Sequence, residues 1–242
     1  MKLKSLLGVA LLASLLAGCG GGGGGGATTS GPVASTLAFP LRAAVNAITA
    51  NGESVTLNAI GTSATQTIDG LCSGTLTGTS GPANTATTFE GASALSSVGV
   101  STISFTNCTP ASISTTSTNY YDTNYVPLGS NESGGSYTVW LTPPSIPSTA
   151  TVGTTAIIGT ETYYTNSTKF TPDGRRDVSM VVEPDTASTA IVNAISKRYN
   201  QSGQLLYTSQ SRRRIDASGT TTPLSSDIQY ATTSTLRLVF LR

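Results

Sequence analysis

The chain has 242 residues, a tenth of them charged, with 26 glycines and no histidine. Its 13 basic and 12 acidic residues nearly cancel, so no overall field draws it to nucleic acid or to anionic lipid. Without an imidazole, Ser-His-Asp and Cys-His chemistry is excluded, and there is neither a GxSxG elbow nor an SxxK pair.

The first element is a leader. Lys2 and Lys4 precede Leu6 to Ala17, an uncharged run of twelve residues. Twelve helical residues rise ~18 Å, short of the ~30 Å bilayer core that needs about 20 residues. A cationic start, a short apolar run and small residues at its end form the pattern of an export signal. The closing Leu16-Ala17-Gly18-Cys19 resembles the lipobox of bacterial lipoproteins. That resemblance implies cleavage between Gly18 and Cys19, a diacylglycerol thioether on Cys19 and a further acyl chain, such as palmitate, on the freed amine. One acyl chain holds only marginally and two hold stably, so Cys19 is expected to be the lipid anchor and residues 1–18 the cleaved signal peptide. Gly20 stands where an aspartate tends to retain this class in the inner membrane. The resemblance therefore implies the outer membrane, facing the periplasm or the cell surface.

Residues 19–35 read as a tether. Gly20 to Gly26 and the following ATTSGPVAS offer almost no side chain to pack, and about 16 such residues reach ~20–25 Å as flexible coil. The body, 36–242, is long enough for one large all-β domain or two lobes. Loss of Lys2 and Lys4 from the 13 bases leaves 11 against 12 acids, unevenly spread. From 36 to 160 Arg42 is the one base against five acids, whereas from 161 onward ten bases face seven acids.

"FPLRAAVNAITANG" is the one stretch with helical character, with Pro40 in its first turn and Gly52 beyond its end. Thereafter apolar residues alternate. Val55, Leu57 and Ala59 share a face, as do Val178, Met180 and Val182, and Leu236, Leu238 and Phe240, which marks half-buried strands. Cys72 and Cys108 lie in two strand-like stretches, "TIDGLCSGTLTG" and "VSTISFTNCTP". In an exported protein they are expected to form a disulfide, whose loop of about 37 residues would stabilise by ~3–4 kcal/mol. A metal half-site is disfavoured without histidine or a CxxC spacing, so neither metal nor other cofactor is expected.

"NYYDTNY" with Trp140 is an aromatic concentration, and Tyr120, Tyr121, Tyr125 and Trp140 are candidate ligand-binding residues able to stack on sugars. The competing reading is that these rings line strands with their hydroxyls wet. "TPPSIPSTATVG" follows, and its prolines cannot donate ladder hydrogen bonds. It is either a lobe boundary between 36–142 and 148–242 or a long edge loop.

The second half reads as an antiparallel meander, with strands near 154–165, 177–183, 188–199, 204–215, 225–231 and 235–241. NESG (131–134), TPDG (171–174), NQSG (200–203) and DASG (216–219) are its expected turns, each with a capping residue first and glycine last. With NQSG closing a hairpin, Arg212-Arg213-Arg214 lies opposite Thr189 to Ile191, and alternation turns Arg213 away from its neighbours. An edge or solvated face is expected for these charges. Glu183 with Asp185, and Asp173 with Asp177, are the nearest carboxylate pairs for glycan chemistry, yet beside prolines and arginines they are expected to be solvated or ion-paired.

The fold expected is all-β, an antiparallel sandwich or strongly curled meander, with at most one short helix near 40–50. In composition the body is similar to Thr-, Ser- and Gly-rich lipoproteins of Gram-negative bacteria. The function expected is a non-enzymatic structural or binding role in the envelope, with the membrane as partner through Cys19 and no nucleic acid. The alternatives are a lipid-handling half-barrel, a glycan-binding module and a carboxylate-based glycan-active enzyme.

Overall fold

A computed structural model describes residues 31–59, 73–106, 111–231 and 237–242. Helix α1 (Leu41–Asn51) begins after Pro40, whose φ is −80°, and ends at Gly52, whose φ of 75° lets its N–H return to Ile48 O at 2.9 Å. The expected helix is therefore present, bounded by the two expected residues.

The strands are β1 (Glu53–Ala59), β2 (Ser73–Ser80), β3 (Thr85–Phe89), β4 (Ala92–Thr106), β5 (Ser112–Tyr121), β6 (Pro127–Glu132) and β7 (Tyr137–Trp140). They continue as β8 (Thr155–Tyr164), β9 (Pro172–Pro184), β10 (Thr189–Tyr199), β11 (Leu205–Asp216), β12 (Thr221–Tyr230) and β13 (Arg237–Leu241). From β4 to β13 each strand pairs antiparallel with the next. β13 then pairs with β1, β1 with β2, and β2 with β4, so twelve of the described strands close into a barrel.

The all-β expectation holds in a more specific form than a sandwich or open meander. The meander curls until β1 and β2 complete the circuit. β7 and β8 pair across the proline-rich stretch (Trp140↔Glu161), so residues on both sides of it build the same sheet. β3 lies outside the ring. It pairs with the start of β4, and Phe89 stacks on Tyr120 and Tyr137 at ring-centroid distances of 4.5 and 5.5 Å.

Alternation fills the interior. Met180, Val182, Ala190 and Ile215 point inward and meet Phe39, Leu41 and Ala44, so the α1 segment plugs one mouth of the barrel. Phe39 is held there by two backbone bonds to Ala150, at 2.8 and 3.0 Å, and its full burial contributes roughly 2–3 kcal/mol. A second cluster of Leu57, Ile103, Leu238 and Phe240 closes the interior toward the other end of β1, β2, β4 and β13.

Two expected turns form as read. Gly203 N–H bonds Asn200 O and Gly219 N–H bonds Asp216 O, each at 3.0 Å and with positive φ at the glycine. The other two shift. In the β6–β7 hairpin the positive φ falls on Gly135 rather than Gly134, with Gly135 N–H bonded to Glu132 O at 2.9 Å. TPDG is not a turn, because the chain reverses at 166–169, where Lys169 N–H bonds Asn166 O, and Pro172 already opens β9. Gly174 answers a different demand. Its φ is 104°, and a Cβ there would lie 2.2 Å from Tyr199 O on β10. The glycine marks a close approach of two strands.

The β10–β11 register is also displaced. Tyr199 pairs with Leu205 across an irregularity at Arg198/Tyr199, so the arginine triplet lies opposite Ile191, Val192 and Asn193, two residues from the expected position. A bulge beside a hairpin turn adds a residue that turn composition alone does not announce.

Gly174→Ala is expected to destabilise by about 2–4 kcal/mol, from crowding and left-handed strain together. Gly153 also has positive φ (90°), but a Cβ there would meet nothing within 4 Å, so Gly153→Ala should cost only about 1 kcal/mol. Urea unfolding midpoints of the two variants measure the difference; equal losses would refute the crowding.

Candidate functional site

Between the plugged mouth and the second apolar cluster the lumen keeps a chamber of about 300 Å³. Its walls come from inward positions of β1, β2, β4, β5, β6, β9, β11 and β12. On β2, β4 and β5 these positions carry small or polar residues: Gly78 and Ser80, Gly99 and Ser101, Thr115, Ser117 and Asn119. Small residues opposite one another leave a hollow where larger ones would meet. Val55, Leu57 and Leu76 add an apolar strip, the apolar Val100 and Pro223 also line the chamber, and Tyr121 and Ser130 line the wall near β6.

Four charged side chains line the chamber: Glu53, Glu132, Arg176 and Arg213. Arg213 reaches over to Glu53 in a two-point ion pair, with Nη1 to Oε2 at 2.9 Å, and Nη2 also donates to Thr221 Oγ1 at 3.2 Å. Arg176 pairs with Glu161, which in turn accepts a 2.6 Å hydrogen bond from Thr138 Oγ1. Burial works against the Arg176 charge, and the Glu161 carboxylate more than restores it, so its pKa lies above the ordinary value.

Behind this wall Tyr163 is flanked by two guanidiniums, Arg198 at 3.9 Å and Arg176 at 5.7 Å from its ring centroid. Burial holds the Tyr163 hydroxyl well above the usual tyrosine range. Arg198 is itself tied to Asp173 at 2.7 Å. Burial likewise raises the Glu132 carboxyl, and Glu161 adds to this while Arg176 and Arg198 oppose it.

Several buried polar atoms have no partner. Ser101 Oγ, Arg176 Nε and Arg213 Nε belong to chamber-lining residues, and Ser196 Oγ, Ser209 Oγ and the Tyr163 hydroxyl lie in the adjoining interior. Such groups cost stability unless water or a ligand answers them.

The four aromatic candidates do not share a shelf. Tyr121 lines the chamber. Tyr120, its neighbour, faces the other side of the sheet beneath Phe89. Tyr125 sits in the β5–β6 turn with φ 61° and its N–H bonded to Asp122 O. Trp140 lies against Gly159, where a Cβ would come within 3.2 Å of its ring. Cys19, Cys72 and Cys108 lie outside the described residues; Ser73 and Thr106, described residues near the last two, are register partners.

The carboxylates of the two candidate pairs are held by arginines. Glu183 pairs with Arg212 at 3.1 Å, Asp185 with Arg214 at 2.6 Å, Asp173 with Arg198 and Asp177 with Arg175 at 3.3 Å. Arg213 does turn away from its neighbours, but into the lumen rather than to an edge or solvated face. Sequence reasoning misses Glu53, Ser101, Glu132 and Arg176. The available signal is the run Ser97, Gly99, Ser101, small residues at every second position of a long strand.

Compared with known proteins, the chain matches no family model, no curated protein and no solved structure.

Glu132 gives the chamber a pH signature. Its folded pKa lies above the reference value of 4.5, so the folded state binds the proton more tightly and its contribution declines as pH rises from 4.5 through the folded pKa. Glu132→Gln is expected to gain stability relative to the parent at about pH 7 and to match it near about pH 4. Denaturant titrations at the two pH values test this; a gain independent of pH would refute it.

Proposed function

We propose that the protein is a membrane-tethered envelope lipoprotein whose barrel is a non-enzymatic binding body in water, joined to the bilayer through acylated Cys19. The observation that carries this reading is the chemistry of the barrel's outer face. Membrane-spanning barrels turn an apolar band ~25 Å tall toward lipid. On β1, β2, β5 and β12 the outward positions are Ser54, Thr56 and Asn58, Thr75, Thr77 and Thr79, Ser114, Thr116 and Thr118, and Ser225, Asp227 and Gln229, while exposed apolar residues on the outer face include Val98 and Val100 on β4, Ile157 on β8 and Leu241 on β13. Hydroxyls, amides and a carboxylate in mid-strand are suited to solvent.

A barrel of this kind needs a separate device to remain at a membrane. The apolar leader and Leu16-Ala17-Gly18-Cys19 supply one, and the glycine-rich tether sets the body clear of the headgroups. A binding rather than purely structural role is favoured by the chamber with its unpartnered polar atoms. The lipid-handling alternative fits less well, because Glu53, Glu132, Arg176 and Arg213 interrupt the chamber's apolar lining.

Cells grown with radiolabelled palmitate should yield labelled protein that partitions into detergent, and Cys19→Ser should lose both label and partitioning while the barrel stays folded by circular dichroism. An unlabelled wild-type product, or a serine variant that still partitions, would overturn the tether.

A further inference from the structure

We propose that the luminal chamber binds one neutral, polyhydroxylated ring, a ligand of monosaccharide size. This deepens the binding role above and rests on it, but not on the acylation of Cys19.

Size is the first argument. At about 300 Å³ the chamber sits at the small end of ligand sites, which suits a single sugar ring rather than an oligomer or an extended acyl chain. Charge is the second. Glu53 is matched by Arg213 and Arg176 by Glu161, while burial biases Glu132 toward its protonated form. An anion entering the chamber would find both guanidiniums already answered, and its desolvation would go uncompensated.

The third argument is the pattern of unmet hydrogen bonds. Ser101 is 5 % exposed and its Oγ, which both donates and accepts, has no partner. Arg176 Nε and Arg213 Nε are unmet donors on guanidiniums already engaged elsewhere, Arg176 through Nη2 and Arg213 through both outer nitrogens. Groups that donate beside groups that accept match hydroxyls, which do both. The Val55, Leu57 and Leu76 strip offers a surface for the C–H face of a ring.

Gly78 supplies the test. It lines the chamber, its φ is outside the left-handed range, and a Cβ added there meets no atom within 4 Å. A larger side chain at 78 would occupy the space of the ligand without crowding the wall. The full-length protein in detergent micelles is titrated with D-glucose, D-galactose and N-acetyl-D-glucosamine, and separately with glucuronate and octanoate, by calorimetry and saturation-transfer NMR.

At least one neutral sugar is expected to bind saturably, with Gly78→Leu abolishing binding and Ser101→Ala weakening it about tenfold, the loss of one buried hydrogen bond. Circular dichroism reports whether each variant keeps the fold; if Gly78→Leu does not, Ser101→Ala decides alone. No binding by any of the three sugars, as expected of a chamber that holds only ordered water, would overturn the proposal. So would binding unaffected in a folded Gly78→Leu, or a preference for glucuronate or octanoate. Palmitate labelling reads the tether independently, so a failure here is distinguishable from a failure there.

Discussion

A closed sheet of twelve strands encloses more volume than its own inward side chains fill. Eight strands bring the walls just close enough for side chains to meet, and sixteen leave a water channel; this ring stands between. The rest of the architecture answers that geometry. The α1 segment enters one mouth because Phe39, Leu41 and Ala44 are needed to complete a core that Met180, Val182, Ala190 and Ile215 cannot complete alone. Toward the other end the described residues that fill the interior are large side chains on β1, β4 and β13, with partly buried neighbours on β2, β5 and β12. Between them neither solution operates, and a hollow of mixed polar and apolar lining persists.

The same geometry explains the placement of charge. Arg176, Arg198 and Arg213 are directed into or against the lumen, and each has an acid within reach: Glu161, Asp173 and Glu53. Buried pairs of this kind add little net stability, but removing one partner costs several kcal/mol, because the other charge is left buried and unanswered. Their contribution is to fix which strands face one another across the hollow. Arg213 on β11 and Glu53 on β1 do this over β12 and β13, which lie between them in the sheet.

Much of the fold is legible in the sequence because its rules are local. Pro40 and Gly52 bound a helix by their own backbone preferences, and period-two alternation identifies strands without knowledge of their neighbours. The six strands expected in the second half all exist, with ends shifted by a few residues. What escapes is relational. Closure depends on β1 finding β13 and β2 finding β4, and neither pairing leaves a signature in either strand alone. Gly174 looks like a turn glycine until Tyr199 is brought against it. Arg213 looks solvated until the sheet curls and its side of the strand becomes the inside. The chamber is illegible for the same reason, since a hollow is a property of opposing walls and no single segment encodes it.

The seam where the ring closes joins β1 to β13. Among the described residues their register pairs are Asn58↔Leu241 and Ala59↔Phe240, and the Glu53–Arg213 contact also ties β1 to the last strands. Those partners come from opposite extremes of the body, so a nascent chain can zip its hairpins one after another yet has no inside until its thirteenth strand arrives. The hollow is thus the last thing folding creates. Any agent that delays release of the terminal strand would hold the protein as an open, edge-exposed ribbon, the state in which sheets find the wrong neighbours.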